Sequence, residues 1–315
     1  MAERLHPVEH CPPVLILAFN RPNTTARVFE ALRAVRPAQI FFAVDGPRQE
    51  KPDDAGRVAR VRELTATVDW QSDVQTLFRP RNLGCKHAVS QAITWFFEHV
   101  DEGVVMEDDC VPHPSFFPFA RELLERYRDD ERVMAISADN FLRGARKTQY
   151  SYYFSRYLHI WGWATWRRAW RHYDHAMRQW PQLRDSGWLT DLLGDRAAAS
   201  YWTQIFDETY GERNMSWGYR WMFSAWRQSG LSINPSVNLV SNIGFGDSAT
   251  HAVQHDNPLA ALPVQPMEFP LRHPPEVIRD KEADRYTQRN LFSAPSRWRS
   301  VARRVRNLLR TRPRS

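Results

Sequence analysis

Short apolar runs separated by amphipathic stretches dominate the first 140 residues. Residues 13–19, PVLILAF, form a continuous apolar run closed by Asn20-Arg21-Pro22, the pattern of a strand buried on both faces. Ala26, Val28, Phe29, Leu32 and Val35 then recur on one broad helical face, with Asn23 or Thr24 placed to cap it. A second apolar run at 40–44 is halted by Asp45-Gly46-Pro47, a turn signal. Residues 74–78 read as a third strand, 85–99 as a helix, and 103–106 as a strand that runs straight into Glu107-Asp108-Asp109. A helix over 116–127 and a strand over 132–137 complete the series. Alternation of this kind predicts an α/β fold, a mostly parallel sheet with helices on both faces. Ligands of such sheets sit outside the carboxyl ends of the strands. The loops that matter are therefore Asn20-Arg21, Asp45-Gly46 and Glu107–Asp109.

Beyond residue 140 the regularity is lost. Residues 141–255 are rich in Trp and Tyr, with a strand-turn pattern at 231–240, and 256–295 are Pro-rich and predicted to wrap the surface. In 296–315, Trp298, Val301, Ala302, Val305, Leu308 and Leu309 fall on one helical face. Arginines fill the other positions, with Ser296 to cap the start and Pro313 to stop it. That is a basic amphipathic helix suited to an anionic membrane surface, with a solvated tail or a docking helix for a partner as the plain alternatives. The expected organisation is a catalytic domain over 1–255, with a nucleotide-binding half (13–140) and an acceptor half (141–255), then the Pro-rich segment and the tail.

Composition changes this picture in three places. The formal net charge of +7 is a local property. Residues 296–315 carry eight Arg and no acid, and without them 35 basic residues face 36 acidic ones, which argues against a nucleic-acid-binding body. Three cysteines, Cys11, Cys85 and Cys110, make neither a disulfide framework nor zinc-site spacing, and reduced thiols are expected. The N-terminus has no apolar stretch of signal-peptide type and no run long enough to span a bilayer, so the expectation is a cytoplasmic protein, peripheral on the inner membrane face through its tail. Thirteen Trp suit either a heavy core or sugar-stacking surfaces.

Three adjacent carboxylates at a strand end repel one another and are costly to bury, and a divalent cation offsets that cost. Mn2+ or Mg2+ fits, because hard cations take carboxylate oxygens together with substrate phosphates. In extended backbone Glu107 and Asp109 point to one side and Asp108 to the other, so at most two reach one ion. A solvated acidic turn is the plain alternative.

The segments VLILAFNRP, the Asp45-Gly46 turn and VVMEDDCVPHPSFFPFA resemble the N-acetylglucosaminyltransferase I family of inverting glycosyltransferases and its bacterial nucleotide-diphospho-sugar transferase relatives. ISADN at 136–140, IWGWATW at 160–166, WGYRWMFSAWRQSGL at 217–231 and NIGFGDSATH at 242–251 extend the resemblance over roughly 13–251. It implies a Rossmann-like sheet of the GT-A type. Asp109 would bind the metal that bridges the donor diphosphate, with Glu107 and Asp108 supporting the ribose side. Arg21 and Asp45, with Asn20 beside them, would hold the uracil end. Arg79, Arg81 and Lys86 are candidates to neutralise phosphate, and each is otherwise ordinary surface charge.

Inverting transfer needs a general base on the acceptor hydroxyl. The family places an aspartate in the segment that reads Trp217-Gly218-Tyr219-Arg220-Trp221 here, with no acid. Asp247 and His251, in a Gly-flanked loop, are the substitutes, with Asp207 and Glu208 further candidates. Trp161 and Trp163 are candidates to stack an acceptor sugar, or else belong to the core. Asp139 could position donor hydroxyls or cap a helix. The expected function is metal-dependent transfer of a sugar from a nucleotide-diphosphate donor, a UDP-sugar first among them, to a glycan or lipid-linked acceptor. The rivals are a sugar nucleotidyltransferase, which would favour a Gly-rich phosphate loop that FNRPNTT does not supply, and a non-catalytic glycan-binding protein on the same fold.

Overall fold

The computed structural model describes residues 11–245, 259 and 262–293. The candidates Asp247 and His251 and the basic tail at 296–315 lie outside the described residues. The elements are β1 (Val14–Ala18), α1 (Pro22–Val35), β2 (Gln39–Val44), α2 (Pro52–Glu63), β3 (Asp73–Phe78), α3 (Gly84–His99), β4 (Glu102–Glu107), β5 (Cys110–Pro112) and α4 (Phe116–Arg126). There follow β6 (Val133–Ser137), β7 (Tyr152–Ser155), β8 (Trp163–Trp166), α5 (Arg167–Trp170), α6 (Trp180–Leu183), α7 (Trp188–Leu193), α8 (Arg196–Tyr210), α9 (Trp217–Arg227), β9 (Leu231–Pro235), β10 (Val240–Asn242) and α10 (Lys281–Leu291).

Eight strands form one sheet in the order β3-β2-β1-β4-β8-β6-β9-β7. β3, β2, β1 and β4 run parallel, β8 is antiparallel to both of its neighbours, β9 is parallel to β6, and β7 closes the edge antiparallel to β9. The sheet is mostly parallel, as the alternation predicts. Val14, Leu15, Ile16, Val104, Val105 and Met106 are fully buried, as central strands covered on both faces require. Side chains three apart on a strand point to opposite faces. On β8, Trp163 packs against Trp170, Trp217 and Trp221 of α5 and α9. Trp166 instead donates its indole N–H to the Leu124 carbonyl of α4 at 3.1 Å. Helices therefore cover both faces.

Three local details differ from the sequence reading. Helix α1 starts at Pro22, and neither Asn23 nor Thr24 caps it: Arg21 is the N-cap, with no side-chain cap bond. Proline there needs no N–H and its fixed φ suits a first helical residue. Residues 281–291 form a helix inside the Pro-rich stretch, capped by Asp280, whose carboxylate accepts from the Glu282 and Ala283 amides. The chain before it borders edge strand β7, with the Asp280 amide on the Phe154 carbonyl at 2.8 Å. The tryptophans are mainly core: Trp70, Trp163, Trp166, Trp180, Trp202, Trp221 and Trp226 are essentially fully buried. The three cysteines are free thiols. Among the described residues no helix is long and apolar enough to cross a membrane.

Candidate functional site

A cavity of about 470 Å3 opens at the carboxyl ends of the parallel strands. Its mouth is charged, lined by Arg21, Asp45, Arg48, Arg79, Glu107, Asp108 and Asp109. Its depth is apolar, between Leu17, Ala43 and Leu77 of the sheet and Ala88, Val89 and Ala92 of α3. Small residues at four-residue spacing on α3 leave this slot, because a helix that carried larger side chains there would close it. Trp161 and Phe245 form the far wall.

Glu107 ends β4, and Asp108 and Asp109 follow it. Asp108 accepts the Phe19 amide at 3.1 Å, which ties the acidic turn to the end of β1. Asp109 accepts Arg21 Nη1 on Oδ2 at 2.5 Å, and the same guanidinium nitrogen lies 3.6 Å from Asp108. The other Asp109 oxygen accepts the Cys110 thiol at 3.4 Å. Trp217, the first residue of α9, favours the charged form of Glu107. Burial, then the neighbouring carboxylates, pushes Glu107 above the usual carboxylate range, and the same two causes raise Asp108. Arg21 opposes both shifts.

The strand pair β5–β10 brings the start of NIGFGDSATH onto this cluster. The Ile243 amide donates to the Asp109 carbonyl at 2.8 Å. A Cβ on Gly244 would lie 2.6 Å from Asp109 Cγ and closer still to Oδ2, so only glycine lets this backbone cover the carboxylate. Phe245 then packs edge-on against Trp161 at 5.5 Å.

Asp45 lines the cavity, and its carboxylate is already occupied. It accepts from the amides of Gly46, Leu83 and Gly84 and from Asn82 Nδ2, at 2.8 to 3.2 Å. It therefore anchors the N-terminus of α3, where a carboxylate meets unpaired amides. Gly46 makes this possible: a Cβ there would sit 2.5 Å from the Arg81 backbone nitrogen.

Other candidates are placed elsewhere. Asn20 is not on the cavity lining; it donates to Asp54 at 2.7 Å, beside Arg48 on the same carboxylate. Those bonds hold Asp54 down to about 2, with Arg48 the main cause. Lys86 is buried and paired with Glu212, directed away from the lining formed by its neighbours Gly84 and Cys85. Trp163 is fully buried in the tryptophan cluster and presents no stacking face. Asp139 is fully buried as well: its Oδ2 accepts the Trp161 amide at 3.0 Å and the Ser137 hydroxyl. Burial raises its carboxyl well above the usual range. It shapes the turn that presents Trp161. Asp207 is bound by Arg184 and Trp180, and with Glu208 it lines a separate polar depression on α8. In the segment 217–221, Arg220 is buried and donates to the carbonyls of Thr209, His175 and Ser216, so it holds loops together.

Residues missed in the sequence are Arg48, Cys85, Gly244, Phe245 and the apolar slot itself. The turn before Pro47 and the NIGF segment signalled the first and the third; nothing in the sequence signals that α3 leaves a cavity.

No family model and no curated relative matches the chain. Among solved structures it is similar to HddC from Yersinia pseudotuberculosis, at 13% identity and a TM-score of 0.32, over 50% of this chain and 77% of that one. It is similar to a UTP-bound UGPase from Acinetobacter baumannii, at 9% identity and 0.34, over 71% and 85%. The mouse xyloside xylosyltransferase 1 is a third, at 15% identity and 0.30, over 70% and 83%. Likeness at this level carries no argument about activity. The resemblance to the N-acetylglucosaminyltransferase I family rests on the sequence motifs alone.

Proposed function

We propose that the protein is a glycosyltransferase that moves a sugar from a nucleoside diphosphate sugar, a UDP-sugar first among them, onto a glycan or lipid-linked acceptor. The observation that carries this reading is the convergence of Arg21, Glu107, Asp108 and Asp109 on the mouth of one cavity that continues into an apolar slot. A flat, weakly polar base suits the slot, and a diphosphate suits the charged mouth.

The donor set fits Mn2+ or Mg2+. A Glu107 oxygen, an Asp109 oxygen and Cys110 Sγ lie within 4.8 Å of one another. The Cys110 thiol is fully buried and pushed well up, so it stays protonated and leaves hard oxygen ligands. When bound, the ion would supply positive charge to the leaving diphosphate. Arg21 and Arg79 would orient the nucleotide phosphates or base carbonyls by charge-assisted hydrogen bonds. Trp161, wedged between Phe141 and Phe245, would offer a rigid face to a sugar ring. Asp247, two residues after cavity-lining Phe245, and His251 are the proposed bases. The basic tail would hold the enzyme at an anionic membrane face, where a lipid-linked acceptor is presented.

Sugar nucleotidyl transfer is the second reading. The turn Phe19-Asn20-Arg21-Pro22 counts against it, since it has no glycine and Pro22 removes one of the amides a phosphate loop would offer. Product analysis separates the readings. Incubation with UDP-sugars and candidate acceptors should release nucleoside diphosphate; pyrophosphate from a nucleoside triphosphate and sugar phosphate would point to the second. Glycan binding that needs neither metal nor nucleotide would point to a non-catalytic protein.

A further inference from the structure

Arg21 stands at the one place where the cation and the nucleotide would compete. Its backbone is fixed: the carbonyl accepts the Thr25 amide at 3.0 Å and the Thr24 and Thr25 hydroxyls, and Pro22 follows. The side chain extends from this anchored backbone. That side chain places Nη1 at 2.5 Å from Asp109 Oδ2, the oxygen left over after the Cys110 thiol takes Oδ1. Both side chains are largely shielded from water, at 16% and 12% exposure, so their attraction is weakly screened. Of the other cavity-lining arginines, Arg48 is committed to Asp54.

We infer that Arg21 is a built-in counter-ion that occupies Asp109 until the nucleotide draws it away, so that divalent cation and nucleoside diphosphate bind cooperatively through this one side chain. The inference rests on the reading of the cavity as a nucleotide-sugar site. Two cations on one carboxylate oxygen repel each other, so the paired state opposes metal binding. A diphosphate or base carbonyl offers the guanidinium a new acceptor and releases Asp109 to the ion. By linkage, metal then strengthens nucleotide binding by the same factor as nucleotide strengthens metal binding.

The test is manganese binding to the intact chain, read from the electron paramagnetic resonance of the free ion, with and without UDP. In wild type, UDP should tighten manganese binding by about a hundredfold, from its own oxygens on the ion and from the release of Arg21 together, within the usual range for such coupling. Arg21→Gln should bind manganese alone about tenfold more tightly than wild type, while the gain from UDP falls by about the same factor, to the part that diphosphate oxygens on the ion supply directly. Arg21→Lys keeps a charge and should restore weak binding of manganese alone. A merely structural role would weaken every ligand together. Thermal melts check folding, and Arg21→Met repeats the question should the glutamine variant be unstable. If Arg21→Gln or Arg21→Met binds manganese no better than wild type, or the UDP gain in them equals that of wild type, the counter-ion role is wrong although the nucleotide site stands. Failure of both wild type and variant to bind manganese with UDP present overturns the proposed function and this inference with it.

Discussion

Gly244→Ala puts the smallest possible perturbation directly on the acidic cluster. The added Cβ would lie 2.6 Å from Asp109 Cγ and 2.8 Å from Asp109 Cβ, where ordinary contacts begin at 3.4 Å. The clash with Oδ2 is closer still, so the carboxylate must retreat by more than the roughly 0.8 Å its carbon alone would need, or residues 243–245 must lift by as much. Asp109 has little room, because Arg21 and Cys110 hold its two oxygens and its carbonyl accepts the Ile243 amide. Overpacking of this kind costs about 1–3 kcal/mol. The site tolerates less than the fold does, since productive geometry is lost beyond roughly 0.5 Å. The expected result is a loss of manganese-dependent UDP affinity of about a hundredfold, close to 2.7 kcal/mol. The melting temperature should fall only a few degrees, at about 2–4 °C per kcal/mol. Calorimetric titration and a melt measure the two. Gly56→Ala is the control, since a Cβ there meets nothing within 4 Å, and it should leave UDP affinity unchanged. Wild-type affinity in Gly244→Ala would refute the claim that this backbone positions Asp109.

Two further outcomes follow from the same geometry. Lys86→Met should leave UDP affinity within about twofold of wild type, because the ammonium pairs with Glu212 away from the cavity lining; titration checks it, and a phosphate role would predict a loss of tenfold or more. Asp284 is raised to about 6, mainly by burial, against the Ser155 hydroxyl and the Arg156 amide that favour its charge. The folded state therefore holds its proton more tightly than the unfolded chain, and the stability this contributes is full below about pH 4 and lost as pH rises to about 6. Relative to Asp284→Asn, wild type should lose about 3 kcal/mol across that window, read from denaturant melts at each pH; a pH-independent difference would contradict it.

The first half of the sheet was legible because its central strands bury both faces. A strand such as VLILA can only be central, and the runs of β1, β2 and β4 are of that kind, while β3, half exposed, is the sheet's edge. The acidic cluster was legible for the same reason: carboxylates straight after a buried strand fall at the sheet's carboxyl edge. Side-chain direction was not legible. Asn20 and Arg21 are neighbours, yet one turns to Asp54 and the other to Asp109. Cys85 faces the cavity and Lys86 does not, a difference of one helical step on α3. Trp161 and Trp163 look alike in IWGWATW. Gly162 at φ +74° separates a loop residue that reaches the cavity from a strand residue that belongs to the core. The antiparallel β8 and β7 escaped notice because neither WATW nor YYFS shows a clean period of two. The resemblance assigned Asp45 to the nucleobase, with a plain turn aspartate as the alternative, and an Asp-Gly turn shows nothing of the amides that Leu83 and Gly84 bring to it from a later segment.

The most direct test of the central claim is calorimetric titration of UDP, with and without Mn2+, into wild type and Asp109→Ala. The account predicts binding to wild type that depends on manganese and is abolished in the variant, with both proteins folded by circular dichroism. No binding of UDP by folded wild type with manganese present, or equal binding by Asp109→Ala, would contradict it.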